Sequence, residues 1–112
     1  MKNKLWKILT EKKSIKLGGH NIAVIFPYHF KESRDCVGQY DGVLMELRIA
    51  QVDSNGLEIP KSAVLATFMH ECFHAICGIF GGKIDILDDE NLHDSLSQGI
   101  YQLFIDNCED DS

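Results

Sequence analysis

The hydrophobic and polar positions of this chain change period along its length, dividing it into a β-rich first half and a helical second half. Near the start Leu5, Trp6, Ile8 and Leu9 stand among lysines, the pattern of a short amphipathic helix or turn. Ser14 to Leu17, then Gly18-Gly19, reads as a short strand entering a turn, and Asn21 to Phe26 is a β-branched and aromatic run that Pro27 helps to end. Cys36 to Tyr40, Asp41-Gly42 and Val43 to Ile49 read as a β-hairpin, because Asp-Gly between extended runs suits a tight turn with positive φ at both central positions. On the returning strand Leu44, Glu46 and Arg48 alternate with Val43, Met45, Leu47 and Ile49.

After a polar loop at 51–56 the period becomes helical. Residues 59–80, IPKSAVLATFMHECFHAICGIF, place Pro60 in a first turn and leave Gly81-Gly82 to close the helix. A helix apolar on nearly every side is expected to be buried. A second helix is expected after the acidic start Asp88-Asp89-Glu90, with Leu92, Leu96, Gly99, Ile100 and Leu103 on its apolar face and an end near Asp106. Gly99 on that face implies close approach to another element, with the long helix as the neighbour. The expected fold is a single α+β domain over residues 1–112, a small and mostly antiparallel sheet followed by two packed helices. A basic arm at 1–13 and an acidic tail at 107–112 flank it.

Composition narrows the classes. A chain of 112 residues, 45% hydrophobic and 25% charged, suits one ordinary soluble domain. The net charge of −6 argues against a nucleic-acid surface. Lys2, Lys4, Lys7, Lys12, Lys13 and Lys16 make the start basic, which reads as a solvated tail. No run approaches the roughly 18 apolar residues of a membrane span, and 5–9 is too short for a signal-peptide core. No membrane partner is therefore expected, and a cytoplasmic location is. Cys36, Cys72, Cys77 and Cys108 show no C-x-x-C pairing. Cys72 and Cys77 lie on different helix faces and cannot bridge, so all four are taken as reduced thiols.

The chemistry sits in the long helix. His70-Glu71-Cys72-Phe73-His74 is an H-E-x-x-H motif, whose two histidines stand one turn apart on one face and converge on a single cation. In zinc peptidases this spacing supplies two ligands, with the Glu as general base on the zinc-bound water. Two buried histidines satisfied by hydrogen bonds are the plain structural alternative. Two His and a carboxylate also suit non-haem iron, but the i, i+4 spacing beside Glu71 favours Zn2+. The metzincin continuation fails, since Cys77 and Phe80 stand where its glycine and third histidine belong.

A third ligand is sought in the second helix, among Asp88, Asp89, Glu90, His93 and Asp94. The register of Glu90 and Asp94, one turn apart, resembles the gluzincin family typified by thermolysin. That resemblance implies Glu90 as third ligand and Asp94 as the residue that orients His70, with His93 the other possible ligand. It also implies a Tyr or His that steadies the oxyanion, for which Tyr101, Tyr40 and His93 are available. More widely, residues 36–107 resemble the small gluzincin-like peptidases of phages and prophages, relatives of the ImmA/IrrE group. The resemblance rests on Gly38, Tyr40, Asp41, Leu47, Arg48 and Ile49, then M-H-E-C-F-H-A-I, then L-S-Q-G-I-Y-Q-L-F-I-D-N. It implies a zinc-dependent, zincin-like peptidase acting on a peptide or protein in a bacterial or phage-infected cell. The rival is a phage or prophage regulatory module that binds metal, or a protein partner, without catalysis.

Overall fold

A computed structural model gives the structure and describes residues 2–31 and 36–81 together with positions 99, 103 and 107. The elements in chain order are α1 (Lys2–Lys7), a π-helical turn (Ile8–Lys12), β1 (Ser14–Leu17), β2 (His20–Ile25), β3 (Gly38–Asp41), β4 (Glu46–Ile49), α2 (Lys61–Ile76) and a second π-helical turn (Cys77–Gly81). The four strands form one mixed sheet in the order β1-β2-β4-β3. β1 with β2 and β3 with β4 are antiparallel pairs, joined through a parallel pairing of β2 with β4. This is the α+β fold that the change of period implied.

Alternation assigns the two faces of the sheet. Ile15, Leu17, Ile22, Val24, Leu47 and Ile49 are buried on one face, and α2 covers it with Val64, Leu65, Phe68, Cys72, Ala75 and Ile76. Lys16, Ala23, Glu46 and Arg48 alternate with these along their strands. Arg48 pairs there with Asp41 at 3.1 Å and Glu46 at 2.8 Å.

The two hairpins turn differently from each other, the first as expected and the second not. Gly18 and Gly19 have φ of 58° and 82°, the pair of positive values that a two-residue turn demands. At Asp41-Gly42 the expected two-residue turn is replaced by a four-residue loop, 42–45, with the positive φ on Met45 at 56°. The reason is local. Asp41 Oδ1 accepts hydrogen bonds from the backbone N–H of Val43 and Leu44, each at 3.0 Å, and this side-chain staple holds a wider turn. Val43 and Leu44 are consequently at the hairpin tip, 91% and 61% exposed, and not in the returning strand.

The ends of the chain also correct the sequence reading. The basic start is no solvated tail, because Leu5, Ile8 and Leu9 are buried in the core. Trp6 meets Phe26 edge-on at 5.6 Å, and the Lys61 ammonium lies 4.7 Å above the Trp6 ring. The lysines occupy the solvent side of a segment whose apolar side is a wall of the core. Asn107, placed in the acidic tail from the sequence, is helical and docks on β1. Its Nδ2 donates to Lys16 O at 2.9 Å, and its Oδ1 accepts from Lys16 N–H at 2.9 Å. Gly99 makes the close approach to α2 that its position implied. A Cβ there would stand 2.8 Å from Ile76 Cγ1 and 3.0 Å from its Cβ.

The long helix itself starts at Lys61, with Pro60 just before it accepting from the Ala63 and Val64 N–H groups. It is not buried all round: Ala63, Ala66, His70, Phe73 and His74 are exposed. The 19 residues Lys61–Ile79 also have the length and a mean hydropathy of 1.3 that would fit a bilayer span, contrary to the count of apolar residues alone. Packing against the sheet takes up part of that apolarity: 39% of the stretch is buried.

Candidate metal centre

α2 carries the whole candidate site among the described residues. His70 and His74 project from its exposed side, one turn apart, with ring centroids 4.7 Å apart and planes at 79°. Their Nε2 atoms face each other at 3.1 Å. Two nitrogens held tetrahedrally at 2.0–2.1 Å from a zinc ion would lie roughly 3.3 Å apart, so the observed separation fits a shared cation. Glu71 is 7% exposed and reaches the same point, and ligand atoms from all three residues lie within 4.8 Å of one another. Two imidazole nitrogens with a carboxylate close by are a group that could hold a divalent metal ion.

β3 explains how Glu71 is seated. The strand runs against α2 so closely that a Cβ on Gly38 would fall 2.5 Å from Thr67 Cγ2 and 3.0 Å from both Glu71 Cγ and Oε2. Only glycine lets backbone and carboxylate meet in this way. Two depressions flank the contact and share Gly38 and Glu71. One, of about 500 Å³, is lined by Cys36, Val37, Ala66, Thr67 and His70. The other, of about 450 Å³, is lined by Gln39, Tyr40, His74 and Gly78. Together they form a groove along the helix–strand seam with Glu71 at its middle.

The groove borders a sheet edge. β4 lies inside the sheet between β2 and β3, and the edge strand beside the helix is β3. Ala50 N–H donates to Val37 O at 2.9 Å, so Val37 and Gln39 direct their backbone groups towards β4. By antiparallel alternation, Gly38 and Tyr40 direct theirs to the outer edge, where the Cys36 thiol donates to Gly38 O at 3.1 Å. The Tyr40 hydroxyl donates to Met45 Sδ at 3.6 Å. Burial first, and then the Asp41 charge, raise its pKa above the ordinary tyrosine value, so it keeps its proton as a donor.

Cys72 stands next to the motif but cannot serve it. It is fully buried in the core, and burial, with a lesser contribution from Glu71, pushes its thiol up to about 12. Cys77 is half-buried and outside the His70, Glu71 and His74 cluster. Glu90, Asp94, His93 and Tyr101, the positions drawn from the gluzincin resemblance, lie outside the described residues. Compared with protein families, curated proteins and solved structures, the chain finds no match. The sequence reading named Gly38 only as part of the resemblance, not for its contact with Glu71, and gave Thr67 no role. A glycine inside a strand pattern was the available signal for Gly38; Thr67 carried none.

Proposed function

We propose that this protein is a zinc-dependent peptidase of gluzincin type. The observation that supports it is the pair of Nε2 atoms 3.1 Å apart with the Glu71 carboxylate beside them, at the middle of a groove along a strand edge. His70 and His74 would hold the ion, and Glu90 would be the third ligand by resemblance. When bound, zinc supplies the Lewis acidity that acidifies water and polarises a carbonyl.

The chain's own groups account for the rest. Glu71 takes a proton from the attacking water and returns it to the departing amine. The carbonyl carbon thus gains O–H while the C–N bond breaks and nitrogen gains H. The outward N–H of Gly38 and the outward N–H and C=O of Tyr40 would hold an extended substrate by strand addition. Tyr40, protonated and lining the same depression as Glu71 and His74, is the described residue assigned to steady a developing oxyanion, exchanging its Met45 Sδ acceptor for it.

Metal content by elemental mass spectrometry tests the reading, on protein purified without chelators or a histidine tag. About one zinc per chain is expected in the wild type and in Glu71→Gln, and less in Glu90→Ala. Hydrolysis of a peptide mixture, present in the wild type and lost in Glu71→Gln, is the second expected result. A chain that binds no zinc when supplied with it sinks the proposal, and leaves His70 and His74 as a hydrogen-bonded pair.

A further inference from the structure

The loop between β3 and β4 stands where the groove ends. Glu71 lies against Gly38, and β3 runs from there to Asp41, so the strand leads from the motif to the loop at 42–45. Tyr40 joins the two. A Cβ on Gly78, in the groove, or on Gly42, in the loop, would stand 3.4 Å from Cε2 of its ring. The loop is held at both ends: Asp41 Oδ1 accepts from the Val43 and Leu44 N–H groups, and Met45 packs on the core with its Sδ accepting from the Tyr40 hydroxyl. What this fixed loop presents to solvent is carbon. Val43 is the most exposed large hydrophobic residue among the described ones, and Leu44 beside it is 61% exposed. Polar residues would close the same turn, so two adjacent aliphatic side chains at its tip point to a contact.

Resting on the peptidase reading, we propose that Val43 and Leu44 grip the substrate chain at a distance from the cut, which makes the preferred substrate a long, unfolded protein segment with apolar residues there. A chain laid along β3 rises about 3.3 Å per residue, so from a scissile bond near Gly38 it meets the tip roughly four to six residues away. A short peptide fills the groove and stops before the tip. A folded protein has no extended segment of that length to offer. Val, Leu, Ile or Phe side chains gain by burial against Val43 and Leu44, whereas Asp or Ser gains nothing. The loop is already fixed by Asp41 and Met45, so little of that gain is lost to ordering it.

Internally quenched peptides test this on zinc-loaded protein. A hexapeptide that wild type cleaves is extended, at one end or the other, by Leu-Val-Leu-Val or by Ser-Gly-Ser-Gly. At one end the apolar extension is expected to raise kcat/KM about 5- to 50-fold over the polar one, the range for partial burial of two aliphatic side chains. In Val43→Ser/Leu44→Ser that advantage should vanish, while the bare hexapeptide is cleaved as by wild type. In Val43→Lys/Leu44→Lys an Asp-Ser-Asp-Ser extension at the same end should become the better one. Both side chains are exposed and the Asp41 hydrogen bonds use backbone N–H groups, so circular dichroism and zinc content should not change. No apolar advantage in wild type, an advantage that survives the double variants, or an equal loss on the bare hexapeptide overturns the proposal alone. So does a wild-type dimer, seen by sedimentation, that the serine variant dissolves, since the tip then belongs to a second copy. A zinc-loaded wild type that cleaves no peptide overturns the peptidase reading and this proposal with it.

Discussion

The two edges of the sheet are treated in opposite ways. β1 offers the backbone of Lys16 to solvent, and Asn107 closes it: one side-chain amide supplies both a donor and an acceptor at 2.9 Å, as a neighbouring strand would. β3 is the other edge strand, beside Glu71; among the described residues no strand pairs with its outer side, and the Cys36 thiol donates to Gly38 O there at 3.1 Å. An unpaired edge invites association, and proteins normally blunt it. One edge is met by a side-chain amide; the other borders the His-Glu-His cluster and is the one to which the proposed function assigns the substrate.

The largest effect is expected at the centre of the open side. Glu71→Gln keeps the size and neutralises the base, so peptide hydrolysis should fall about 10²- to 10⁴-fold, the contribution of a positioned general base. Zinc content should stay at the wild-type level. Loss of the metal together with activity would instead make Glu71 a ligand, which changes the role assigned to the open edge.

Gly38→Val comes next. Its side chain must displace Thr67 Cγ2 and Glu71 or push β3 off α2. Overpacking of this kind costs about 1–3 kcal/mol, read as a lowered urea midpoint with unchanged slope. Zinc affinity should fall as well, because Glu71 and the seam move together. A variant as stable as wild type with normal metal uptake would show that the strand does not press on the site.

How much of this was legible beforehand follows from the range of the interactions. The H-E-x-x-H cluster depends on residues four apart on one helix, so its geometry could be read directly, and the 3.1 Å nitrogen pair follows from that spacing. Gly18-Gly19 and the strand runs are likewise local. Strand order is not. Nothing in Val43 to Ile49 announces that β4 pairs in parallel with β2 and gives the edge position to β3. The Asp41 turn went astray because a side-chain oxygen competes with backbone geometry. Leu5, Ile8 and Leu9 looked like a tail because six nearby lysines dominate composition, whereas burial is decided by which side each residue faces. Asn107 meets Lys16 across 91 positions, and no short pattern encodes that.

The closed edge gives the next prediction. Asn107→Ala removes the amide that pairs with Lys16 and leaves that backbone to water, a loss of about 1 kcal/mol. Faster hydrogen exchange at the Lys16 N–H is expected, since its acceptor is gone. At high protein concentration the bared β1 edge should also pair between copies, seen as a dimer by sedimentation. Unchanged exchange and a monomer at every concentration would show that the edge needs no cap, and would weaken the contrast with β3.

The smallest effect concerns how the open edge is anchored at its far end. Asp41 finishes β3, and the Leu44 N–H, helped by Arg48 and the Val43 N–H, holds its carboxyl below the usual carboxylate value of 3.8. A carboxyl with a lowered folded pKa adds stability above its unfolded pKa, and that stability is lost as pH falls through the folded value. Asp41→Asn keeps an acceptor oxygen for the loop but removes the charge that Arg48 meets. The melting temperature should therefore be slightly lower in the variant at pH 7, and the two proteins should converge below about pH 4. The difference will be small, because the pair is partly solvated and Arg48 retains Glu46. A gap that stays constant down to pH 2 would mean that the loop is held by hydrogen-bond geometry alone, and that charge plays no part in keeping β3 in place.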